Sequence, residues 1–150
     1  MLASSCVLLV ALYFGSLTAL PKSDTKRMQS WLITFWSCLF MSMFGAYFLV
    51  QLWVTNTTIL ADGGSDFDRH FARFVCLFFL AYCLVDMLFL NLHYREENAI
   101  GLQHHSGYAA LLVYLLATEQ EILFAVCAIE EVPTCSPRRV FSSSRCTLGR

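Results

Sequence analysis

The sequence predicts an all-α protein, a multi-pass transmembrane helical bundle of four to five hydrophobic helices. Of its 150 residues 57% are apolar and only 14% charged, which lies outside the range of an ordinary soluble domain. The apolar residues collect into four long runs, and a helix needs about 20 of them to cross a hydrocarbon core of roughly 30 Å. Thirteen Phe, six Tyr and three Trp supply the bulky and interfacial side chains that membrane helices favour.

The same composition argues against several classes. A net charge of −1 with no large basic patch indicates no nucleic-acid partner. Seven Cys without a CxxC pair indicate neither a disulfide scaffold nor a zinc finger. Cys6, Cys38, Cys76, Cys83 and Cys127 fall in apolar runs, where a thiol behaves as a small hydrophobe, and Cys135 and Cys146 lie in the tail.

The first run, Leu2 to Leu20, is long enough to span, and Pro21 marks its end. A signal peptide is the alternative, with small residues at Ser16 to Ala19, but the start lacks a basic n-region. Trp31 to Trp53 is the second span, with an interfacial Trp at each end. Phe71 to Leu92 is the third, interrupted only by Arg73 and Asp86. The fourth run, Gly107 to Val132, carries Thr118-Glu119-Gln120-Glu121 where a single span would have its centre. Each carboxylate there costs about 3 kcal/mol on an insertion scale. A hairpin of two helices turning at those residues is the cheaper arrangement.

The loops give the orientation. Pro21 to Ser30 carries Lys22, Lys26 and Arg27 and is expected in the cytosol; Val54 to His70 carries Asp62, Asp66 and Asp68 and is expected in the lumen. The sequon Asn56-Thr57-Thr58 in that loop is a candidate glycosylation site, although it lies close to Trp53 and the membrane. His93 to Gln103 returns to the cytosol. With the fourth run as a hairpin, the basic tail of Arg138, Arg139, Arg145 and Arg150 is also cytosolic, which gives five crossings and a lumenal N-terminus. From Pro133 onward the chain is polar and turn-forming, and the preceding helix, Ile122 to Val132, covers only about 16 Å. This end reads as a truncation, an alternative exon or a gene-model error.

Ionisable groups at membrane depth are expensive and are usually used. Asp86 lies about 22 Å along the third span from Phe71, near its cytosolic end. Tyr82 is one turn before it, and His93 follows on the same face. His104 and His105 open the next helix from the same side, and Glu130 and Glu131 rise from the lumenal turn, so all of these can meet in the cytosolic half of one bundle. Each has a plain structural reading beside it. Asp86 is a carboxylate near a helix end bonded to Arg95 or backbone. His104 and His105 are two hydrated imidazoles that diverge by about 100° on a helix. His70 is a loop residue, Glu119 and Glu121 are solvated at the turn, and Phe78, Phe79 and Phe89 make lipid and packing contacts.

Four His without HxxH spacing do not make a membrane di-iron site, and a single zinc on His93, His104 or His105 with Asp86 has no supporting spacing. No nucleophile elbow, P-loop or dinucleotide fingerprint occurs, and no cofactor is expected. A His base oriented by a carboxylate is chemically suited to activating an amine or hydroxyl for acyl transfer.

Three motifs fall together in the second half: Tyr82 with Asp86, then His104-His105-Ser106-Gly107-Tyr108, then Glu130-Glu131-Val132-Pro133-Thr134. Over Leu80 to Thr134 the chain resembles the TLC domain, the membrane module shared by TRAM proteins and ceramide synthases. Trp31 to Phe48 is similar to an upstream helix of that family. The resemblance implies a partial TLC-like transmembrane domain over 1–134, a polar tail over 135–150 expected to be disordered, and a place in the endoplasmic reticulum. It implies a role in membrane lipid binding, sensing or homeostasis, with membrane lipids as partners. His104 and His105 match the paired His that ceramide synthases require, and Asp86 matches an acidic position in the helix before. These three are the candidate catalytic residues, and Tyr82, Glu130 and Glu131 the candidate lipid-binding ones. The later His-Asp pattern of the synthases is absent, with Ala128-Ile129-Glu130-Glu131 in its place. Two alternatives therefore stand beside the lipid-binding reading: an acyl-CoA-dependent N-acyltransferase with acyl-CoA and a sphingoid base as partners, and a truncated, inactive product.

Overall fold

A computed structural model describes residues 1–19, 26–55, 59–60, 64–93 and 99–128. Among the described residues the chain is almost entirely helical, with no strand. The helices run α1 (Leu2–Ala19), α2 (Lys26–Val54), α3 (Asp66–His93), α4 (Ala99–Ala117) and α5 (Glu121–Cys127). Two stretches, Leu32–Val54 in α2 and Asp66–Phe89 in α3, are long and apolar enough to cross a membrane; Leu2–Thr18 is apolar but shorter.

Helix α3 is the hub. It packs against α1, α2, α4 and α5, whereas α1 touches neither α4 nor α5 and α2 does not touch α4 among the described residues. Its buried surface is nearly continuous from Val75 to Val85, which explains why the third run reads as apolar on all sides. Against α2 the contact is aromatic. Phe44 meets Phe71, Phe74 and Phe78 edge-on at 5.5, 5.7 and 5.7 Å, and Phe40 meets Phe78 at 5.4 Å. Such pairs contribute about 0.5–1.5 kcal/mol each beyond area burial. Phe78 and Phe79 are therefore core residues rather than lipid-facing ones. Helix α1 adds Leu9 and Tyr13 to the core, Tyr13 lying 4.7 Å from Phe89. The Trp36 indole N–H donates to Ser16 Oγ at 2.8 Å and ties α1 to α2.

Helix α3 starts earlier than its apolar run. Ser65 is its N-cap: Ser65 Oγ accepts from the Asp68 amide at 3.2 Å, while Asp68 Oδ2 accepts from the Ser65 amide at 2.9 Å and hydroxyl at 2.6 Å. This reciprocal capping satisfies donors that a helix start leaves open. Tyr47 of α2 donates to the other oxygen, Oδ1, at 2.8 Å. Gly64 precedes the cap with φ +65°, and a Cβ there would stand 2.9 Å from both Asp68 Oδ2 and Ile59 Cγ1. Asp66 and Asp68 thus belong to a first turn, where negative charge suits the helix dipole. His70 is helical rather than a loop residue, with Nδ1 2.7 Å from the Asp66 carbonyl oxygen.

The fourth run is a hairpin. Helix α4 ends at Ala117 and α5 begins at Glu121. Glu119 adopts φ +56°, and the Gln120 amide donates back to the Leu115 carbonyl at 3.0 Å, the 6→1 bond of a Schellman cap. The turn takes the chain back so that α5 lies against α2, α3 and α4. Glu119 is solvated as expected, but Glu121 is not: it is buried, with Oε1 4.0 Å from Arg73 Nη1 of α3. The Cys76 thiol contacts the Glu121 carbonyl at 3.7 Å. The folding-back of α5 carries Glu121 onto the side of α3, within reach of the Arg73 guanidinium.

Candidate functional site

On α3, Phe79, Tyr82 and Asp86 recur at the spacing that places them on one face. On α4, His105, Tyr108 and Leu112 do the same. The two helices set these faces together, so that Phe79 meets Tyr108 at 5.5 Å, Tyr82 meets His105 edge-on at 5.3 Å, and His105 Nε2 lies 2.9 Å from Asp86 Oδ2. His105 and Asp86 are 9% and 5% exposed, so the pair is shielded from solvent by the helices that position it. His105 Nδ1 is buried with no hydrogen-bond partner among the described residues.

Adjacent histidines on a helix diverge, and here one is exposed and the other buried. His104 is exposed, its ring 4.8 Å from Tyr108 and 5.5 Å from His105. Of the His104, His105 and Asp86 trio, His105 and Asp86 form the buried polar pair, and His104 makes only a ring contact with His105 among the described residues. Tyr82 joins them from α3 and donates its hydroxyl to Thr34 Oγ1 of α2 at 3.3 Å. Ser106, next in sequence, donates to the Leu102 carbonyl at 2.7 Å and contacts Met87 Sδ at 3.4 Å, which adds a further α4–α3 contact. Glu130, Glu131, Asn56 and Arg95 lie outside the described residues, and of His93 only the backbone is described, at the end of α3. The partner of Asp86 among the described residues is His105, and the expected contact with Arg95 lies outside them.

The structure adds two residues of α2 that the sequence reading passed over. Thr34 is the hydroxyl acceptor of Tyr82, and Ser37, three residues on, is fully buried with Oγ unpartnered among the described residues. A polar pair at helical spacing inside the Trp31–Trp53 run is the signal that could have found them.

An imidazole with one nitrogen held by a carboxylate and the other shielded and free can hold a hydrogen bond or pass a proton to a group that reaches it. Among the described residues no three His, Cys, Asp or Glu side chains group as metal ligands. Comparison with protein-family models, curated proteins and solved structures gives no match to this chain.

Proposed function

We propose that this chain is a multi-pass membrane protein, similar to TLC-domain proteins, that binds or senses lipid through the interior of its helical bundle. The observation that carries this reading is the buried His105–Asp86 pair, 2.9 Å apart, inside a chain with two span-length apolar helices. Polar pairs at such depth face a bundle interior and mark ligand or proton paths. The outer surface supports the membrane part. Phe14, Phe35, Met43, Val50, Trp53, Leu88 and Val113 are all more than half exposed, which water does not favour and lipid does. The endoplasmic reticulum as its location, the lumenal N-terminus and lipid partners follow from the resemblance and the loop charges.

The test is to purify the full chain in mild detergent and quantify the lipids that remain with it by mass spectrometry. A defined lipid at about one copy per chain supports the reading; a chain that extracts into aqueous buffer without detergent contradicts it.

The dyad itself favours a second reading, an acyl-CoA-dependent N-acyltransferase resembling ceramide synthase. In it His105 acts as base and Asp86 orients the ring. Labelled acyl chains entering ceramide, in cells that lack their own ceramide synthases and express this chain, test it. Activity unchanged by His105→Ala would exclude His105 as the base.

A further inference from the structure

Helices α2 and α4 both pack on α3 and do not touch each other among the described residues. One side chain of α3 nevertheless reaches both. The Tyr82 hydroxyl donates to Thr34 Oγ1 on α2 at 3.3 Å, and its ring stands edge-on, at 88° and 5.3 Å, to the ring of His105 on α4. Tyr82 is 4% exposed, so its ring does not change its tilt without displacing a neighbour. His105 is one such neighbour, and its Nε2 lies in turn 2.9 Å from Asp86 Oδ2. Thr34, Tyr82, His105 and Asp86 thus form a chain of contacts through three helices.

Two properties make the first of these contacts sensitive. An O–H···O bond ordinarily spans about 2.5–3.0 Å. At 3.3 Å the Tyr82–Thr34 bond is stretched, and a small shift of α2 decides whether it holds. Thr34 is also only half-buried, at the edge of the face on which α2 exposes Phe35, Leu39, Met43, Val50 and Trp53. What covers that face therefore acts on the helix that carries Thr34. In a bilayer it is lipid, and a span whose apolar length does not match the hydrocarbon thickness responds by tilting.

We infer that Thr34 is a positioning residue for the His105–Asp86 pair, and that through Tyr82 it makes the orientation of the His105 ring depend on the position of α2. Helix α2 is then the element that meets the bilayer, and the buried pair is where its position is felt. The inference gives a means of regulation to the site proposed above and rests on the lipid-sensing reading. It requires no ligand at the pair itself.

The experiment labels the four His of the full chain with carbon-13 and reads their ring cross-peaks by NMR. In detergent, Thr34→Val keeps the shape of the side chain and removes the hydroxyl. It should move the His105 peak and leave those of His104 and His70 in place, and Thr34→Ser should return the His105 peak to its wild-type position. A His105 peak that Thr34→Val does not move, or that Thr34→Ser does not return, overturns the role of Thr34. Equal movement of the His70 peak, near the far end of α3, would mark a general loosening and overturn it too. The second arm places the protein in nanodiscs of short-chain and of long-chain phosphatidylcholine. The wild-type His105 peak should differ between the two, and the Thr34→Val peak should not. Identical wild-type peaks overturn the coupling to α2, and this comparison decides even if the variant does not fold. The lipid-binding reading stands through all of these outcomes and fails separately, when no lipid is retained on purification.

Discussion

His105 Nε2 and Asp86 Oδ2, 2.9 Å apart, form a buried polar lock between the interior faces of α4 and α3. Breaking a buried pair from one side strands the other group, which costs about 3–5 kcal/mol, whereas replacing both by apolar side chains of similar size is often neutral. Asp86→Leu alone should therefore unfold the chain at much lower denaturant, and Asp86→Leu with His105→Phe should recover most of the loss. Thermal or SDS unfolding of the four proteins in one detergent measures the coupling. Additive single effects would mean that the two groups do not depend on each other.

The two histidines should separate sharply. His104 is exposed and, among the described residues, makes ring contacts alone, so His104→Ala is expected within about 0.5 kcal/mol of wild type. His105→Ala leaves Asp86 without its partner and should cost several times more. Equal losses in the same unfolding assay would place both rings in the interior.

The α4–α5 turn holds Glu119 at φ +56°, a conformation in which a side chain costs roughly 1–2 kcal/mol and glycine nothing. Glu119→Gly should raise stability by about 1 kcal/mol, and Glu119→Val should lower it. The readout is the unfolding midpoint. A destabilised Glu119→Gly would show that the side chain, and not the backbone, fixes the turn.

At the start of α3, Gly64→Ala meets both a positive φ and a Cβ position 2.9 Å from Asp68 Oδ2. It should cost more than Ser65→Ala, whose lost cap is worth about 1 kcal/mol. Amide exchange should accelerate over the first turn of α3 in both variants. Protection there equal to wild type would exclude the capping role of Ser65 and Asp68.

How much of this was legible depends on the residue. The hairpin was, because two carboxylates at the centre of one apolar run leave few affordable alternatives. That Asp86 and the His pair lie at one end of neighbouring helices was also legible, from the order and length of the runs. Which histidine faces inward was not: α4 is apolar nearly all round, so its periodicity does not reveal the interior face. The burial of Glu121 depends on Arg73, distant in sequence, and on the fold-back of α5. The start of α3 was missed because Asp66 and Asp68 read as loop charges, whereas Ser65 makes them a first turn.

The most direct measurement of the central claim is the lipid content of purified wild-type protein against the Asp86→Leu, His105→Phe double variant, once both are shown folded. The account predicts a lipid at about one copy per chain on the wild type and its loss from the variant. The same lipid retained on both, or none on the wild type, would contradict it.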